Sequence, residues 1–190
     1  RYGDMYIRKL LSSGVPTGLA QIARAQDPIL REARTIIDAV KARIPGLSKT
    51  LLPRYDVFGQ PITLEGSLGP DFISPIYESR IKNDPVTREL LNLKVFPSKL
   101  NRKIRGAELS DTQYAELQIL AGTTMKQILD RAVATPGWGK QAPFARSEYI
   151  RKVVEKTREN ARMMILMRHP EVFKASLNFQ RKQMGVDPVK

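Results

Sequence analysis

The sequence predicts a mainly α, multi-helix module with a small extended or β-hairpin insert around 54–77. Three observations predict it. Apolar residues recur at helical spacing on both sides of that insert. Helix start signals stand ahead of them, at Asp27-Pro28, Asp84-Pro85, Ser110 with Gln113, and Ser147. The stretch from Arg54 to Tyr77 has no such period and is punctuated by Gly59, Pro61, Gly66, Gly69, Pro70 and Pro75. The expected organisation is N-terminal helices over 1–53, an irregular or extended insert with one short helix over 54–109, and C-terminal helices over 110–190.

Taken in order, Arg1 to Ser13 reads as a short amphipathic helix and Gly18 to Ala25 as a second. Asp27-Pro28 should open a helix to Ile44, with Ile29, Ala33, Ile36, Ile37, Val40 and Ile44 on one stripe. Pro45-Gly46 stops it. Tyr55 to Phe58 and Gly59 to Ile62 read as two short extended pieces around a turn. Gly59 can take positive φ there, and Pro61 keeps Gln60 extended. Gly69 and Pro70 exclude a helix downstream, and Asp56 and Asp71 read as turn anchors.

Asp84-Pro85 should start a short helix that Phe96-Pro97 breaks. Lys99 to Arg105, KLNRKIR, is the densest cationic run and contains no acid. It is a strand or a basic loop, giving a second extended insert at 99–109. Either an edge strand protected by charge or a phosphate contact would use such a run. Ser110 with Gln113 is a capping box for a core helix to Ala134. Gly122 in its middle marks close packing or a kink. Trp138, the only tryptophan, is either a glycine-flanked partner anchor or, the preferred reading, a plug at the end of a core.

Ser147 should cap a helix to Arg168. Residues 144–168 hold seven basic side chains against three acidic ones. Tyr149, Ile150, Val153, Val154, Met163, Met164 and Met167 are expected to form its buried stripe. His169-Pro170 should begin the last helix.

The chain carries 32 basic and 19 acidic residues, a formal net charge of +13. That excess suits polyanionic partners. Cysteine is absent and there is one histidine. Disulfide frameworks, zinc fingers, thiol catalysis and His-based metal cages are therefore excluded. Gly66 and Gly69 lack the Lys-Ser/Thr of a phosphate-cradling loop. The sequence thus offers no catalytic residue, no metal ligand set and no cofactor. The candidate nucleic-acid or partner-binding residues are Lys99, Arg102, Lys103 and Arg105, with Arg151, Lys152, Arg158 and Arg162. The first residue is Arg1, which reads as a piece of a larger protein.

The segments KARIPG (Lys41 to Gly46), LPRYDVFGQP (Leu52 to Pro61) and GPDFISPI (Gly69 to Ile76) form a recognisable pattern. It resembles a large polyvalent protein associated domain family of bacteriophages. In looser form the resemblance runs from about Tyr2 to about Met167. Its structural motif positions are Asp56, Gly59, Pro61, Gly69, Pro70 and Asp71. The resemblance implies a module of a giant phage internal virion or DNA-ejection protein, carried in the particle and delivered into the host. Its partners would be other virion proteins, such as the portal or further ejection proteins, copies of itself, and DNA. It implies no small-molecule substrate and assigns no catalytic residues. Two rivals stand beside this expectation. One is a cytoplasmic nucleic-acid-binding module of a polyvalent protein. The other is an enzyme using a metal between Asp56 and Asp71.

Overall fold

The computed structural model describes residues 26–63 and 84–187. The helices expected before residue 26 lie outside the described residues, as do Gly69, Pro70 and Asp71. The protein is mainly helical, with a small two-stranded antiparallel sheet, as the sequence predicts. It divides into two compact units, residues 1–54 with 61–79, and residues 55–60 with 80–190.

In the first unit, Asp27-Pro28 does not open a helix, which corrects the sequence expectation. The buried Asp27 carboxylate is already occupied: it accepts from Arg31 Nε at 3.0 Å, Arg31 Nη2 at 2.9 Å and Ser48 Oγ at 2.8 Å. Arg31 holds this carboxyl below the usual range, opposed by burial and aided by Ser48. Arg31 Nη1 also donates to the Leu51 carbonyl at 2.9 Å. Residues 29–31 are extended instead, in isolated antiparallel bridges from Ile29 to Thr63 and from Arg31 to Pro53. Leu30, Arg54 and Ile62 exchange backbone hydrogen bonds in a ring of three, at 2.7 to 2.8 Å. The helix starts only at Ile36–Lys41 (α1), where Thr35 and Asp38 form a capping box. Ile37 on the expected apolar stripe is exposed.

The second unit is built on an antiparallel pair of long helices. Asp111–Ala134 (α3) starts at the Ser110–Gln113 capping box. Pro143–Arg168 (α4) follows after a short connection. Its start differs from expectation. Pro143 begins it without a side-chain cap, and Ser147 Oγ donates to the Phe144 carbonyl at 2.8 Å inside the first turn. Pro85–Asn92 (α2) is capped as expected by Asp84, whose carboxylate accepts from Thr87 N at 3.0 Å. Pro170–Gln183 (α5) closes the unit.

The regular hairpin falls at the second expected insert. Lys103–Ile104 (β1) pairs with Ala107–Glu108 (β2). Arg105 (φ 47°) and Gly106 (φ 85°) make the turn between them. Two consecutive positive φ values are what a two-residue hairpin loop of matching twist requires.

Two clusters form the core of this unit. At one end Tyr114, Leu117 and Ala121 of α3 meet Ala161, Ile165 and Leu166 of α4, with Ile104, Ala107 and Val172. At the other end Met125 and Leu129 meet Ile150 and Val153, with Phe58, Val86, Leu90, Val95 and Trp138. The buried face of α4 is thus Ile150, Val153, Thr157, Ala161, Ile165 and Leu166. Met163, Met164 and Met167 are exposed, which corrects the expectation that they line the core. The small Ala161 and Thr157 let α3 and α4 approach closely, and the methionines then fall on the outer face.

Residues 55–60 pack on the middle of α3. Asp56 Oδ1 accepts from Phe58 N and Gln60 N, both at 2.9 Å, and this closes the turn. Gly59, at φ 71°, lets the backbone lie directly on α3. Gly122 therefore marks close packing.

Candidate functional site

Helix α4 presents Arg151, Glu155, Arg158 and Arg162 at i, i+4, i+7 and i+11, which is one face. Facing them is the segment Lys94 to Ser98, which leaves the end of α2. Lys94 takes the left-handed conformation at φ 54°, and Val95 N then returns to the Leu90 carbonyl at 2.9 Å. Val95 is buried in the core, so the next residue, Phe96, is turned outward and is 69 % exposed. At the far end of the segment, Arg158 Nη1 donates to Ser98 Oγ at 3.3 Å and Nη2 donates to the Ser98 carbonyl.

Between these walls is a groove of about 590 Å³, lined by Lys94 to Ser98 and by Arg151, Val154, Glu155, Arg158 and Arg162. It holds four cationic side chains and one carboxylate. Arg151 has Glu148 at 3.7 Å on the exposed surface. Neither Arg158 nor Arg162 has a carboxylate within ion-pair distance among the described residues. Burial first, and the neighbouring Arg162 charge second, weaken the hold of Arg158 on its proton. A guanidinium stays charged through such a shift. Two crowded cations create a local field that an anion would relieve.

The sequence-predicted residues divide. Arg151, Arg158 and Arg162 come together in the groove. Lys152 is exposed but does not line it. The run 99–105 is not one cationic patch. Arg102 donates from Nη1 and Nη2 to Asp111 Oδ1 at 3.0 and 2.9 Å, and its guanidinium stacks 4.4 Å from the Tyr114 ring centre. Lys99 lies 5.9 Å from the same ring. Lys103 stands opposite Glu108 in the hairpin register. Arg105 is exposed at the hairpin turn, its Nη2 3.9 Å from Sδ of Met163, the residue after Arg162. Of this run, Arg105 is the one that meets α4 beside the groove-lining arginines.

Sequence reasoning missed the second wall. From the sequence, Phe96-Pro97 reads only as a helix breaker. The available signal was a large aromatic before proline, directly after the apolar Val95.

Two further polar clusters are structural in geometry. The buried Glu89 carboxylate accepts from Trp138 Nε1 at 3.0 Å and from Arg146 Nη1 at 2.5 Å. At the α4–α5 junction, His169 Nε2 lies 2.7 Å from Glu116 Oε2, and Nδ1 lies 3.3 Å from Glu171 Oε1. The Glu116 contact raises the His169 pKa, and the hydrogen bonds from His169 and Arg168 lower that of Glu116. Among the described residues no group of three or more carboxylates and histidines is placed to hold a metal ion.

Comparison with protein-family models, with curated proteins and with solved structures returns no match to the chain.

Proposed function

We propose that the chain is an interaction segment of a bacteriophage internal virion (DNA-ejection) protein, docking on other virion proteins such as the portal and meeting nucleic acid through the groove along α4. The observation that carries nucleic-acid contact is the pair Arg158 and Arg162, on one helix face and with no carboxylate within ion-pair distance among the described residues. Phosphate oxygens satisfy guanidinium donors well and cost little desolvation at a half-open site. The net charge of +13 supports the same class of partner. The virion setting rests on the resemblance of KARIPG, LPRYDVFGQP and GPDFISPI to the phage family. A second reading keeps the groove and changes the compartment: a cytoplasmic nucleic-acid-binding module of a polyvalent protein.

Two measurements test this. Fluorescence anisotropy with a labelled oligonucleotide should give a log Kd that rises with log salt, with a slope of about 2 to 3 for three phosphate contacts. Arg158→Glu with Arg162→Glu should abolish that binding. Absence of salt-dependent binding would sink nucleic-acid contact. Mass spectrometry of purified particles should find the tryptic peptide Gly106 to Lys126. Its presence in infected cells but not in particles would favour the cytoplasmic reading.

A further inference from the structure

Among the non-cationic residues of the groove, Phe96 is a feature that phosphate binding does not use. Phe96 is 69 % exposed between a buried residue and a clamped one. Val95, at 6 % exposure, fixes the chain on its N-terminal side, through the core and its bond to Leu90. Arg158 fixes it on the other side through both hydrogen bonds to Ser98. Pro97 between them has a locked φ. The aromatic ring is thus carried on a backbone held at both ends, and it borders the same space as Arg151, Arg158 and Arg162. An open aromatic surface beside a line of guanidinium groups is the pairing that stacks an unpaired base while holding its phosphate. A duplex offers phosphates to such a surface but keeps its base faces stacked inside.

We infer that the groove is selective for single-stranded nucleic acid, with one base stacked on Phe96 and the adjoining phosphates on Arg151, Arg158 and Arg162. This rests on the reading of the groove as a nucleic-acid surface. Glu155, the one carboxylate in the lining, stands between Arg151 and Arg158 on the helix.

The test compares a labelled oligothymidine strand with a duplex of equal length, using the full chain, Phe96→Ala, Phe96→Trp and Arg158→Glu with Arg162→Glu. Single-strand binding should weaken about tenfold in Phe96→Ala, the scale of one lost base stack. It should be kept in Phe96→Trp, and the weaker duplex binding should not change in either variant. Because Phe96 is exposed, its replacement leaves the core intact, and an unchanged Trp138 emission checks this. Equal affinity for both forms, or Phe96→Ala binding single strands as the parent does, would overturn strand selectivity while leaving salt-dependent binding in place. Loss of all salt-dependent binding in the parent chain would instead overturn the underlying reading.

Discussion

Gly122 on α3 and Gly59 in the turn above it are packed backbone to backbone: a Cβ on Gly122 would lie 2.2 Å from the Gly59 nitrogen and 2.3 Å from the Phe58 carbonyl carbon. In an exposed helix Ala would be favoured over Gly by about 1 kcal/mol. Here the neighbour is backbone and cannot rotate away. Gly122→Ala is expected to destabilise the protein by about 1–3 kcal/mol, the usual cost of overpacking. Urea denaturation followed by circular dichroism measures it; a more stable variant would mean that the turn does not rest on α3.

Glu89 joins α2 to Trp138 and Arg146. Glu89→Ala would leave the Arg146 guanidinium, with a side chain 16 % exposed, without that carboxylate. The expected loss is about 3 kcal/mol, the scale for breaking a buried pair by removing one member. Glu89→Gln keeps an acceptor for Trp138 Nε1 and should cost less. Trp138 is the only tryptophan, so its fluorescence reports the change directly.

The His169–Glu116 contact gives a pH dependence of defined sign. His169 is raised above its ordinary value of 6.5 on folding, chiefly by Glu116. Its contribution is complete below that ordinary value and is lost as pH rises through the folded one. Glu116 is lowered from 4.5, chiefly by His169. Its contribution is present above 4.5 and fades as pH falls through the folded value. The groups facing the imidazole are Glu116 from α3 and Glu171 from α5, with Arg168 on the same Glu116 carboxylate. Stability should therefore decline above the histidine titration, and His169→Gln should flatten that limb. Proton NMR of the single imidazole resolves the pKa; an unraised value would refute the contact.

Arg102 was a sequence candidate for phosphate binding, and its geometry predicts a different outcome. Arg102→Ala removes two hydrogen bonds to Asp111 and the stack on Tyr114. Thermal stability should fall by about 1–2 kcal/mol, from a charge-assisted bond and a cation–π contact. The salt slope of nucleic-acid binding should stay unchanged. A slope lowered by about 1 would return Arg102 to the binding surface.

Local signals in the sequence were legible where their side chains met local partners. Ser110 and Asp84 cap the helices they precede, Asp84 through Oδ2 while Lys126, 42 residues away, takes only Oδ1. Asp27 carries the same signal, but Ser48, 21 residues away, and Arg31 take its carboxylate. That competition is a tertiary fact with no trace in the dipeptide. The arginines of the α4 face were among the sequence candidates, together with Lys152, which does not line the groove. The opposing wall was not, because the outward turn of Phe96 depends on Val95 finding the core. The methionines misled for a related reason: helical spacing gives a stripe, while the partner helix decides which stripe is covered.

The division of the chain has a consequence at the level of the gene. Residues 55–60 belong to the second compact unit, yet they are encoded between two segments of the first. The polypeptide enters that unit, leaves it and returns. A deletion of everything before residue 80 would not excise one unit cleanly; it would also remove Phe58 from the core cluster and the turn that covers Gly122. No single splice point separates the two units, so recombination or limited proteolysis in this region would exchange or release incomplete parts.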